Sequence, residues 1–325
     1  MNLRISLRFG AMLGMVVANT AFAATYDWTA EPLKDVKLET VAFRAWVPET
    51  TDPLAGVIVL IPGRHGDGRS MADDARWQQL ATEVGFGILA CQFTNGDAGL
   101  YQSDDKVEVA KAINEAVNEM AKVSGKPELV DAPLAFWGTS AGSNVSSKYC
   151  GFFPERVAAF GSSKGTWGPG ENTSPKFLEI PMIYAVGAND KPEWVKTSID
   201  HFDKGQGKAP WTIAVQAKEG HGVEGSLDVI FPFLVATINE RLGKGSASGS
   251  QTSSIFKSEL PKIGSSSTPK KAQSSLKKID IRKGWLGDPK TYDIAAYPNF
   301  KGSKSSAIWL PDETVALAWQ TYMRK

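Results

Sequence analysis

LAFWGTSAGSNVSSKYC, residues 134–150, runs from an apolar stretch through a Gly-x-Ser-x-Gly turn into a segment that can form a helix. A parallel strand covered on both faces reads as a continuous apolar run, so LAFWG predicts such a strand. Gly138 and Gly142 leave room for a tight strand-to-helix turn, which would lift the Ser140 hydroxyl out at the end of a sheet. Alone the match is a weak signal; the strand before it and the helix after it give it weight.

Further apolar runs flank this one: GVIVLIPG (56–63), FGILACQF (86–93), VAAFGSSKG (157–165), PMIYAVGAND (181–190) and WTIAVQA (211–217). Each predicts a strand buried on both faces. Between them, Trp77, Leu80, Ala81 and Val84 fall at helical spacing, as do Ala110, Ile113, Val117 and Met120. Strands alternating with helices in this way predict a doubly wound, mostly parallel α/β sheet of about eight strands. ETVAFRAWVPE (39–49) alternates apolar and polar, as a half-exposed antiparallel edge strand does. LDVIFPFLVATINERLG, with Pro232 near its start, predicts the last helix.

The ends of the chain read differently. Arg4 and Arg8 precede an apolar run that closes on Ala21 and Ala23, the pattern of a signal peptide over residues 1–23. The run is shorter than the ~20 residues of a spanning helix, so the expectation is a secreted or periplasmic protein without stable membrane insertion. Removing the leader takes two of the 36 basic residues and leaves 34 against 35 acidic ones. That balance offers nucleic acid no attractive field. Residues 244–283 hold nine lysines and arginines against two acids and are rich in serine, which predicts a flexible linker after a catalytic domain of residues 24–243. Residues 284–325 regain large aromatics, including Trp285, Trp309 and Trp319, and so predict an extension docking on the main domain near its active-site edge. Cys91 and Cys150 could be bridged in an exported chain or buried as free thiols.

A serine nucleophile needs a base, an acid to orient that base, and amides for the oxyanion. The chain has three histidines. His221 lies between glycines in a loop after the last strand of the sheet, a place suited to a reaching base. His201 sits on a polar helical segment and reads as solvated. Asp190 ends the run MIYAVGAND, where a parallel sheet presents its functional loops. It also suits a helix N-cap, and Glu193, Asp200, Glu219 and Glu224 stand in reserve.

The order Ser140, Asp190, His221 resembles that of the α/β-hydrolase superfamily, and the resemblance extends from about Thr40 to Gly243. VLIPGRHGDGRSM looks like the oxyanion loop of secreted esterases similar to polyhydroxybutyrate depolymerases, feruloyl esterases and dienelactone hydrolases. Pro62-Gly63 stands where many of those relatives have His-Gly. The resemblance implies oxyanion donors at the amides of Arg64 and Ala141, or at Asp67 in place of Arg64 if Gly66 is the aligned glycine. It sets His65 at the mouth of the site, where it would touch substrate or serve only loop packing. Trp137, Trp167 and Trp309 would line a groove for substrate or belong to the core.

Other chemistries lack their residues. There is no His-Glu-x-x-His motif and no paired cysteine spacing for zinc, and PGRHGDG lacks the lysine of a phosphate loop. No cofactor is expected. The sequence thus predicts a serine carboxylesterase acting on a small or polymeric ester. A serine peptidase of the same fold and a non-catalytic binding protein on a hydrolase scaffold are the alternatives.

Overall fold

In the computed structural model the described residues are 23–33, 38–50, 52–94, 107–165, 174–223, 225–244 and 276–325. The leader up to residue 22, most of the expected linker (245–275), Trp167 and Glu224 lie outside them.

Eight strands form one sheet in the order β1-β2-β4-β3-β5-β6-β7-β8. They are β1 (Ala24–Ala30), β2 (Thr40–Val47), β3 (Gly56–Ile61), β4 (Phe86–Thr94), β5 (Leu134–Thr139), β6 (Val157–Ser163), β7 (Met182–Gly187) and β8 (Trp211–Gln216). The pairs β1–β2 and β2–β4 are antiparallel and every other pair is parallel. This is the strand order of the α/β-hydrolase fold. The apolar runs of β3, β5, β6 and β7 are buried almost throughout, because helices cover both faces of the sheet.

Helices α1 (Ala75–Val84), α2 (Glu108–Ser124), α3 (Ala141–Phe152), α4 (Pro192–Gly205) and α5 (Leu227–Leu242) make the layers. Their buried positions are those the spacing indicated: Trp77, Leu80, Ala81 and Val84 on α1, and Ala110, Ile113, Val117 and Met120 on α2. Asp74 caps α1 by accepting from the Arg76 amide, and Gly85 ends it in the left-handed region at φ 75°.

Two expectations are corrected. Residues 40–47 do not form the sheet edge: β1 pairs outside β2, so Val41, Phe43 and Ala45 are wholly buried. The half-exposed alternation belongs to β1 instead. Nor is α5 the last helix, since α6 (Glu313–Met323) follows it beyond a small antiparallel sheet of β9 (Trp285–Gly287), β10 (Ile294–Ala296) and β11 (Ile308–Leu310).

Residues 276–325 lie along the outer edge of β8. The Trp319 indole donates to the Ile213 carbonyl at 2.7 Å, and the Val215 amide donates to the Met323 sulfur at 3.0 Å. The Thr212 hydroxyl donates to the Trp309 carbonyl. Edge strands expose rows of unpaired amides and carbonyls, and here side chains of α6 take them up instead of a further strand. Trp309 is therefore core, 4% exposed and edge-on to Phe233, and does not line a groove. At the return from the undescribed stretch, the Arg241 guanidinium donates to the carbonyls of Lys277 and Val157. Burial draws its pKa down to about 10.

Cys91 on β4 and Cys150 on α3 are free and fully buried, and burial pushes both thiols well above their usual range. An alkylating reagent at neutral pH should leave both unmodified in the folded protein and modify both after denaturation without reductant. Recovery of a bridged peptide by mass spectrometry would contradict this.

Candidate active site

The loops at the carboxyl ends of β5, β7 and β8 bring Ser140, Asp190 and His221 together. Ser140 joins β5 to α3 with φ 51° and ψ −122°, outside the regions a side chain favours. Two glycines make this turn possible. A Cβ on Gly138 would lie 2.5 Å from the carbonyl carbon of Gly142, and one on Gly142 would collide with the carbonyl oxygens of Ile61 and Pro62. The turn is held by the Ser140 amide donating to the Ser163 carbonyl at 2.9 Å and the Ser143 amide donating to the Ser140 carbonyl at 3.0 Å.

His221 Nε2 is 2.8 Å from Ser140 Oγ, and its Nδ1 is 2.6 Å from Asp190 Oδ2. A carboxylate only accepts, so Nδ1 carries the proton and Nε2 is left to accept from the Ser140 hydroxyl. The other carboxylate oxygen of Asp190 accepts from the Lys191 amide at 2.7 Å. The Asp190 side chain is 6% exposed and that of His221 39%, so the orienting bond is sheltered while the imidazole reaches solvent. The acid and base loops are laced together, with Asn189 N donating to Glu219 O at 2.8 Å and Ala188 N to Gln216 O at 2.9 Å. Their approach needs glycine at 187, where a Cβ would meet the Glu219 carbonyl oxygen at 2.5 Å.

Gly63, after β3, faces the nucleophile, with an ideal Cβ only 3.5 Å from the Cβ of Ser140. In the loop that follows, Gly66 N donates to Gly63 O and Gly68 N to Cys91 O, and neither bond uses the Arg64 amide. The Ala141 amide is the first of α3, where a helix leaves its amides without internal partners. Asp67 is engaged by Arg69, whose guanidinium holds its carboxyl below the usual range. His65 is exposed with φ 58° and takes no part in the hydrogen bonds of the Ser140–His221–Asp190 series.

Trp137 is not a substrate contact. It is 4% exposed, packs on Trp77 at 5.4 Å and donates its indole proton to Ser163 Oγ at 3.0 Å. Its position along β5 turns it onto the face covered by α1. His201 is half-buried on α4 and not solvated: burial, aided by Lys204, lowers its pKa to about 4. Among the reserve acids, Asp200 pairs with Lys196 at 2.6 Å and Glu193 is exposed on α4.

Trp194 was not indicated by any motif. Its ring stands 4.9 Å from the imidazole of His221 and carries the Lys191 ammonium 4.2 Å from its centroid. It stands on the first turn of α4, but Asp190 lies before the Lys191 N-cap, so no helical spacing ties the two together in the sequence. Among the described residues no group of three or more His, Cys, Asp and Glu side chains could hold a metal ion.

No protein-family model and no curated protein matches the chain. Solved structures similar to it include a ferulic acid esterase, at 12% identity over 67% of this chain and 99% of that one, with a TM-score of 0.49. Another, described as a predicted CIB-like hydrolase from Thermoplasma acidophilum, is 15% identical over 66% of this chain and 99% of that one, TM-score 0.45. Dienelactone hydrolase from Anabaena variabilis is 15% identical over 67% and 98%, TM-score 0.46.

Proposed function

We propose that the protein is a serine hydrolase that cleaves carboxylic esters, and that the leader in residues 1–23 directs it out of the cytoplasm. The observation that carries the reading is the continuous series Ser140 Oγ, His221 Nε2, His221 Nδ1, Asp190 Oδ2, with bonds of 2.8 and 2.6 Å. Ser140 attacks the ester carbonyl carbon while His221 Nε2 takes its proton. The tetrahedral oxyanion is held by the Ala141 amide and by the Arg64 amide beyond Gly63. Collapse breaks the bond to the alcohol, which leaves with the proton from Nε2. Water then attacks the acyl-enzyme along the same route, and the acid departs with Ser140 restored. Asp190 keeps the imidazole in the tautomer that accepts from serine, and needs no proton of its own.

A fluorophosphonate should label the wild-type protein once, on the peptide containing Ser140, with loss of fluoride. A panel of short acyl, feruloyl, acetyl-sugar and polyester substrates should give turnover on at least one ester class. The absence of both labelling and turnover in folded protein would favour the binding-protein alternative.

A further inference from the structure

Three buried polar side chains outside the triad form a chain with only one consistent direction. The indole N–H of Trp137 can only donate, so Ser163 Oγ accepts it at 3.0 Å. At the other end, Ser226 Oγ is 2.6 Å from the Val223 carbonyl, which can only accept, so the Ser226 proton is spent there. The 2.9 Å contact between the two hydroxyls must therefore be made by the proton of Ser163. The chain runs Trp137, Ser163, Ser226, Val223 carbonyl. Both serines are wholly buried, where an unmatched hydroxyl is costly and solvent offers no substitute partner.

What the chain connects gives it meaning. Val223 is two residues beyond His221, and its carbonyl also takes the Ser226 amide at 3.1 Å, so its position is fixed twice at the start of α5. Ser163 ends β6, and its backbone carbonyl takes the amide of Ser140 at 2.9 Å. One residue thus holds the nucleophile's turn with its main chain and the histidine's loop with its side chain. His221 itself is 39% exposed and lies between glycines, with the Trp194 ring 4.9 Å away on one side.

We infer that Ser163 and Ser226 are positioning residues that set the reach of His221 to Ser140. The inference rests on the hydrolase reading for its catalytic consequence, though not for its geometry. Ser163→Ala leaves the backbone bond to Ser140 in place and removes the hydroxyl link to Ser226 together with the acceptor of the Trp137 indole proton. Ser226→Ala removes the same link from its far side, so the two changes should not add.

The test is the rate of fluorophosphonate labelling of Ser140 in Ser163→Ala, Ser226→Ala and the double variant, at a temperature where circular dichroism shows each one folded. Each single change should slow labelling about tenfold, with the double variant no slower than the worse single one. Where the wild type turns over an ester, kcat should fall with KM little changed, because substrate contacts are untouched. Ser226→Cys, which keeps a weak donor on a somewhat larger atom, should recover part of the rate and replaces Ser226→Ala if that variant fails to fold. The proton shared by His221 Nδ1 and Asp190, displaced far downfield by its short hydrogen bond, should broaden or vanish in both alanine variants. Wild-type labelling rates with an unchanged proton signal would overturn the inference, as would single effects that multiply in the double variant. If the wild type is not labelled at all, the hydrolase reading fails and the proton signal alone decides: lost in the variants, the positioning stands; unchanged, it falls.

Discussion

Ser140→Ala and His221→Ala should each lower kcat on a cleavable ester by about 10⁶-fold, and the double variant should be scarcely slower than either. The reason lies in the single line of bonds. Without the Ser140 hydroxyl there is nothing to attack, and without His221 there is nothing 2.8 Å away to take its proton, so the second loss removes nothing that still works. Asp190→Asn should cost less, about 10⁴-fold. An amide facing Nδ1 can donate to it, which moves the imidazole proton to Nε2 and turns that nitrogen away from its role as acceptor. Steady-state kinetics on purified variants, each checked for an unchanged melting temperature, decide the matter. A loss below tenfold in Asp190→Asn would move the orienting role to another carboxylate.

Removing residues 276–325 should abolish cooperative thermal unfolding. Trp309, Trp319 and Tyr322 are each at most 4% exposed, and large-to-small changes at single sites of this kind cost ~3–5 kcal/mol against total stabilities of ~5–15 kcal/mol. The truncation would also leave the Ile213 carbonyl and the Val215 amide bare along β8. Trp319→Phe separates the two contributions: it keeps most of the ring and loses the indole donor, for an expected cost of ~1–3 kcal/mol. Differential scanning calorimetry of the full chain, Trp319→Phe and the truncated chain makes the comparison. A truncated protein that melts at the full-length temperature would show that the extension is not part of the folded core.

Much of this molecule could be read from its sequence because covered strands cannot hide: β3, β5, β6 and β7 are apolar through nearly their whole length. The edges were harder. β1, YDWT at its centre, carries its alternation in seven residues with a charge among them, and without it β2 looked like the border of the sheet. Strands of three residues, as in β9, β10 and β11, are too short to show any period. The meeting of Ser140, Asp190 and His221 was legible because each lies in the loop at the carboxyl end of a strand with glycine nearby. Trp137 was misplaced because a sequence shows that a strand residue has a face but not which helix lies over it. Ser163 and Ser226 gave no signal, since two serines 63 positions apart meet only when β6 and the start of α5 are already in place.

The covering of β8 by α6 also has a meaning in time. Gln216 closes β8 and Met323 is the last residue of α6. A ribosome adding ~5–20 residues per second therefore needs roughly 5–20 s to synthesise what lies between. Hydrophobic collapse takes up to about 10–100 μs for a chain of ~100 residues, so a nascent sheet has ample opportunity to assemble with its last border bare. During that interval the border is a template for any passing extended segment, including the same border on a neighbouring nascent copy. The eleven-residue helix α6 acts as a latch that can shut only once Met323 has been made. Conditions that slow translation between Gln216 and Met323, or a stop codon placed within that stretch, should yield aggregates paired through β8 in preference to soluble fragments.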